Sequence, residues 1–271
     1  MSEPRAPSVR APRAAVRDGA WSEGARAVPE ETAIALVVDS GAEAVMMATP
    51  ADIEDFAYGF ALTEDLVGAL DDIRDLEIVH ADLGIEARLW LKDGARNALA
   101  QRRRRRAGPV GCGLCGVESL EDAMRPVAAV RSDFEIAATE VATAMTQLPA
   151  QQRLNEETRA VHAAAFYTPS EGIVALREDV GRHNALDKLI GALARRGRDA
   201  SNGVILMTSR VSVELIQKAA YARAPVLAAI SAPTALALRL AEDAAIAVCG
   251  VVRENGLEVF TRSERIKRDA D

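Results

Sequence analysis

Cys112 and Cys115 stand three residues apart in the stretch GPVGCGLCGVESL, residues 108–120, with Gly111, Gly113 and Gly116 around them. Glycine offers no side-chain cover and widens the choice of backbone conformation, so both sulfurs belong on an accessible loop. Ser119 followed by Asp122 is a helix-start capping pattern, and it sets Cys115 near the partial positive charge of a helix N-terminus, where a thiolate is favoured. An accessible, acidified thiol pair of this spacing can hold a metal, close a disulfide or carry sulfur.

Each chemistry makes its own demands. A structural zinc needs two more ligands, and the candidates are His80, His162, His183 and Cys249. A zinc deaminase uses H-x-E followed by P-C-x-x-C; here His80-Ala81-Asp82 lacks the glutamate, and Pro109 stands three residues before Cys112. A thioredoxin-like pair opens a βαβ unit near the chain start, whereas this pair is mid-chain behind the arginine run 102–106. That run reads as a solvated face or as a loop for something anionic.

Other polar clusters lie in the second half. GVILMTSRVSVELI passes from a strand through Ser209 and Arg210 into a helix, and PVLAAISAPTALAL does so through Ser231 and Thr234. Backbone N–H groups at such helix starts bind phosphate or carboxylate, although Ser and Thr also cap helices for purely structural reasons. REDVGRHNALDKLIGAL gathers Arg177, Glu178, Asp179, Arg182, His183 and Asn184 ahead of an apolar helix. Asn184 with Asp187 would suffice as a cap, and the surplus suggests a polar ligand.

These residues need a scaffold, and 271 residues with 49% hydrophobic content can bury one large core or two small ones. A net charge of −7 argues against a nucleic-acid coat, which needs excess Lys and Arg. No run approaches the roughly 20 apolar residues of a membrane span, and the first residues lack a signal-peptide apolar block. Three cysteines are too few for a secreted disulfide framework. A cytoplasmic protein with no nucleic-acid or membrane partner is the expectation.

Residues 1–27 hold Ala, Pro and Arg with few large aliphatics and read as a disordered tail. TAIALVV and EAVMMAT read as strands, ADIEDFAYGFALTEDLVGAL as a helix, and IRDLEIVH and GIEARLWL as further strands. AAAFY, GIVALR, GVILMT, PVLAAI, IAVCGVV and LEVFT then read as strands, with helices over HNALDKLIGALARRG, SVELIQKAAYARA and TALALRLAEDA. Such alternation predicts an α/β fold with a mostly parallel sheet covered on both faces, preceded by a smaller α+β subdomain. The boundaries are 28–125 for the N-terminal subdomain with the cysteine loop and 126–271 for the α/β domain.

The motifs GCGLCG, VHAAAF, REDVGRHNALDKLIG, SVELIQKAA, SAPTALALRLAE and GLEVFT, in this order, resemble the formate dehydrogenase accessory sulfurtransferase family, the FdhD sulfur carriers. The similarity runs from about Thr32 to about Thr261 and includes FAYGFALTEDLV as the family's early helix. The resemblance implies a cytidine-deaminase-like main domain and a homodimer. It also implies a persulfide carrier that takes sulfur from a cysteine desulfurase. The acceptor is the molybdenum or tungsten bis(molybdopterin guanine dinucleotide) cofactor, and the client is formate dehydrogenase.

Matched position by position, the resemblance assigns the persulfide to Cys112, with Cys115 as its companion. It places cofactor contacts at Val251, Val252, Arg253, Glu254, Asn255 and Gly256, and matches motif positions at His162, Asp179, Arg182 and His183. With the anion cradle at Ser209 and Arg210, these form the candidate site. No permanently bound metal is expected. Two other readings stay open: a non-catalytic chaperone that holds the cofactor for the apo-dehydrogenase, and a zinc-stabilised binding module.

Overall fold

The structure is a computed structural model that describes residues 4–39, 41–106 and 127–268. A four-stranded sheet of order β4-β3-β6-β5 is built from β3 (Thr32–Val38), β4 (Gly41–Ala48), β5 (Ile73–Ala81) and β6 (Gly84–Leu91). Period-two alternation turns Ile34, Leu36 and Val38 inward, each with no exposed surface. Helix α1 (Ile53–Thr63) covers that face with Phe56 and Phe60.

Two elements depart from the sequence expectation. Residues read as part of a disordered tail form a hairpin, β1 (Ser8–Arg17) with β2 (Ala20–Pro29), paired over all ten rungs. Composition misses it because the hairpin closes on backbone bonds and buries almost nothing. Its turn is Asp18-Gly19, with φ of 51° and 79°, the left-handed pair that two-residue hairpin loops require. Its base is tied down where Ser8 donates to Glu157 and Arg26 to the Thr158 carbonyl. Likewise the arginine run ends helix α2 (Asp93–Arg106), because Arg and Ala are strong helix formers and Leu99 gives the helix a buried anchor.

The second sheet has six strands in the order β13-β12-β11-β10-β8-β9. These are β8 (His162–Thr168), β9 (Gly172–Asp179), β10 (Val204–Met207), β11 (Val226–Ala229), β12 (Ala247–Arg253) and β13 (Gly256–Val259). The sheet is mixed rather than mostly parallel. Only β10–β11 and β11–β12 run parallel, whereas β8–β9, β8–β10 and β12–β13 are antiparallel. Short turns join β8 to β9 and β12 to β13, and a short connection permits only a hairpin; parallel neighbours need a crossover.

Helices α5 (Arg182–Ala194), α6 (Val213–Tyr221) and α7 (Ala235–Asp243) supply the crossovers and share one core with the four-stranded sheet. Helix α3 (Ala138–Thr146) covers the opposite face, together with the short pair β7 (Ile136–Ala137) and β14 (Ile266–Lys267). Helix α4 (Arg153–Thr158) sits against the base of the hairpin.

The two sheets are locked where α1 crosses α5. A Cβ on Gly59 would lie 1.8 Å from the Asp187 carbonyl oxygen, and one on Gly191 would lie 1.9 Å from that of Asp55. Only glycine at both positions permits this approach. Salt bridges flank the crossing: Arg177 and Arg195 reach Asp55 at 2.6 and 2.7 Å, and Lys218 reaches Asp187 at 2.9 Å.

Candidate functional site

The carboxyl ends of β10, β11 and β12 and the amino end of β8 meet along one rim of the six-stranded sheet. The Ile230 N–H donates to the Met207 carbonyl at 3.0 Å, and the Thr208 N–H donates to that of Ala163 at 3.1 Å. Thr208 Oγ1 in turn accepts the Ala163 N–H at 2.8 Å. Register pairs His162 with Asp179, so the end of β9 and the start of α5 join the same rim. Brought together here are Ser209, Arg210, Val251, Val252 and Arg253, with Arg182 and His183 beside them.

The geometry refines the sequence reading at each position. Ser209 is buried and its hydroxyl donates to the Arg210 carbonyl at 3.0 Å, so it is engaged locally and caps no helix. Helix α6 starts four residues later, with Ser212 at its N-cap position, and Ser212 shares a 3.2 Å hydrogen bond with His183 Nε2. Ser212 was not singled out by its sequence context, because a serine two residues past Arg210 looks like any helix approach. Thr234 does cap α7, accepting the Ala237 N–H at 3.3 Å. Arg210 is exposed.

Asn184 is not a cap either. It lies inside the first turn of α5 and donates to the Met47 carbonyl and to Asp179, at 2.9 and 3.0 Å. Arg182 carries a buried Nε with no hydrogen-bond partner among the described residues.

The segment Val251–Gly256 is the β12–β13 hairpin. Val251 has φ of 52° at a shift in strand register, a left-handed conformation that a β-branched residue adopts only under constraint, at a cost of about 1–3 kcal/mol. The constraint comes from its neighbour. Gly250 is pressed so closely that a Cβ there would lie 2.8 Å from the Phe260 ring and 3.0 Å from Pro233. Arg253 folds back to donate to the Ile230 carbonyl at 2.6 Å, and Glu254, Asn255 and Gly256 make the exposed turn.

Both rim imidazoles are held neutral. Burial, then repulsion from Arg182, pushes His183 down from 6.5 to about 4, against the pull of Glu214, whose carboxylate is 3.7 Å from Nε2. Burial lowers His162 as well. Above about pH 6.5 the folded and unfolded chains both carry neutral His183; between about 6.5 and 4 the unfolded chain binds a proton that the fold refuses.

Stability therefore falls as pH drops through that window, by at most about 3 kcal/mol before solvent screening of a partly exposed ring reduces it. Urea titrations between pH 7 and 4 should show this loss, and His183→Gln should flatten it. Equal pH dependence in both proteins would show that His183 is not responsible.

Cys112 and Cys115 lie outside the described residues. Cys249, the third cysteine, sits in the core, where burial pushes its thiol up to about 12. Among the described residues no group of three His, Cys, Asp or Glu side chains could hold a metal ion, and no helix is long and apolar enough to cross a membrane.

Residues 29–267 match the model of the FdhD/NarQ family. A sulfur carrier protein FdhD from Agrobacterium fabrum is 49% identical over 258 residues, covering 95% of each chain. That of Cupriavidus necator is 49% identical over 243 residues, covering 90% of this chain and 84% of the relative. A crystal structure from Desulfotalea psychrophila, described as a formate dehydrogenase accessory protein, superposes with a TM-score of 0.76. It is 22% identical in sequence, and the match covers 96% of this chain and 99% of that one.

Proposed function

Because the chain belongs to the FdhD/NarQ family, we propose that it is a cytoplasmic sulfurtransferase serving the bis(molybdopterin guanine dinucleotide) cofactor of formate dehydrogenase. In this reading Cys112 attacks the persulfide of a cysteine desulfurase. The donor's S–S bond breaks, its thiolate leaves, and the sulfane sulfur becomes a persulfide on Cys112. Cys115 then attacks the Cys112 sulfur. A Cys112–Cys115 disulfide forms, and the pair's two electrons release the carried atom as sulfide to the molybdenum or tungsten acceptor. The homodimer and the cytidine-deaminase-like description of the main domain belong to the same reading.

The observation that carries the acceptor half is the rim itself. Its partners for an anionic ligand are the unpaired Nε of Arg182, the exposed Arg210 and Arg253, and the α6 and α7 starts at the ends of parallel strands. They suit the phosphates and guanine of such a cofactor, held by Ser209, Arg210, Arg182, His183 and Val251–Gly256.

Thermal melts with guanosine diphosphate provide the test. At about 100 times its dissociation constant the ligand should add about 2.7 kcal/mol, a rise on the order of 5 to 10 °C for a chain of this size. Adenosine diphosphate should give clearly less. Equal shifts would reduce the rim to a generic phosphate cradle, and no shift with either would remove the nucleotide site. Should Arg210→Ala and Arg253→Ala both leave the guanosine shift intact, the site lies elsewhere.

A further inference from the structure

Behind the rim, a charged pair is sealed from solvent at the joint between the two sheets. Asp179 and Lys188 are both fully buried, with Nζ 2.6 Å from Oδ2. A buried ion pair is usually no more stabilising than apolar residues of the same volume, so stability alone does not account for this one. The same Oδ2 accepts the Thr49 N–H at 3.0 Å, while Oδ1 accepts the Gly181 N–H at 2.7 Å and Asn184 Nδ2 at 3.0 Å. Lys188 Nζ also donates to the Thr49 carbonyl at 2.9 Å, and Thr49 Oγ1 accepts the Val180 N–H at 3.1 Å.

Every bond in this set ends on one of two places. One is Thr49, immediately after β4 of the four-stranded sheet; the other is the turn from Asp179 into α5, which bears Arg182 and His183. The turn has no slack, because a Cβ on Gly181 would lie 2.8 Å from Asn184 Nδ2. The geometry points to Asp179 and Lys188 as positioning residues for the site: they clamp the first turn of α5 against the end of β4, and so fix where Arg182 and His183 stand on the rim.

This inference rests on the nucleotide reading of the rim for its functional meaning, but not for its structural test. Three histidines in the chain make His183 readily assigned by NMR. Its low midpoint of about 4 comes first from burial, with Arg182 and Lys218 lowering it further and Glu214 and Glu64 opposing them. A turn released from the clamp admits water to the ring, so the midpoint should climb towards the ordinary 6.5. A pair that served stability alone would leave folded molecules with an unchanged ring.

The test variant is Asp179→Asn with Lys188→Met, which leaves no buried charge unpaired. We expect a folded protein whose His183 midpoint rises by about one pH unit or more and whose guanosine diphosphate affinity, measured by calorimetry, falls at least about tenfold. Gly181→Ala keeps every charge and pushes on the same turn, and it should move both readouts in the same direction even if the double variant does not fold.

A folded variant with its His183 midpoint unmoved overturns the inference, whatever happens to the ligand. A wild-type protein that does not bind guanosine diphosphate, with a midpoint that does move in the variants, instead sinks the nucleotide reading and leaves the clamp standing.

Discussion

Replacing Cys112 by alanine should abolish formate dehydrogenase maturation in a strain that depends on this chain, with no residual activity from another thiol. The reason lies in the remaining two cysteines. Cys249 cannot substitute: it lies in β12 with its side chain fully buried, and burial pushes its thiol up to about 12, so it carries almost no thiolate at neutral pH. Cys115, cast as the resolving thiol, has no persulfide to resolve once Cys112 is gone.

Intact mass after incubation with a cysteine desulfurase and cysteine should show one added sulfur on Cys115→Ala, where no second thiol can discharge the persulfide, and none on Cys112→Ala. The neighbours of Cys112 in the sequence are glycines, which offer no side chains for it to pack against, so the melting temperature should be unchanged. Normal maturation by Cys112→Ala would remove this residue as the carrier. Failure accompanied by unfolding would mark Cys112 as structural, and a tight stoichiometric zinc would favour a metal-stabilised module.

The second large effect falls on the helix crossing. Gly59→Ala or Gly191→Ala inserts a Cβ less than 2 Å from a carbonyl oxygen of the opposing helix, so the helices must separate. Overfilling a closely packed contact costs about 1–3 kcal/mol and more where backbone must move, and here both neighbours are backbone. A loss of about 3 kcal/mol or more corresponds to a fall in melting temperature on the order of 6 to 12 °C.

The damage should spread, because the displaced carbonyls belong to Asp55 and Asp187, whose side chains hold Arg177, Arg195 and Lys218. Gly24→Ala is the control: nothing lies within 4 Å of a Cβ there, and the melt should stay within about 0.5 kcal/mol of wild type. If Gly191→Ala melts with the control, the α1–α5 crossing is not the joint described.

Much of the fold is legible in the sequence. Continuous apolar runs such as VILM and VLAA, separated by helix-length spacers, gave β10 and β11, and TAIALVV showed its alternation directly. Alternation alone overstates the parallel share of the sheet, because the short β8–β9 and β12–β13 connections close hairpins where the longer ones cross over. The β1–β2 hairpin was missed because its stability rests on backbone pairing and a favourable turn, neither of which composition records.

For the site, sequence by itself determined the chemistry available: a glycine-flanked thiol pair, arginines and hydroxyls at strand ends, and an ordered set of motifs sufficient to identify the family. Tertiary structure alone decided which of them meet. Ser212 and His183 touch across 29 residues, and Thr49 grips Asp179 across 130. Lys188 was hidden in plain sight within LDKLIGAL, where a lysine among apolar helix positions reads as solvated until a buried carboxylate is found for it. Left-handed Val251 and the crossing glycines are of the same kind. Burial, charge pairing and backbone constraint depend on distances between segments far apart in the chain, and those distances are set only when the two sheets come together on α1 and α5.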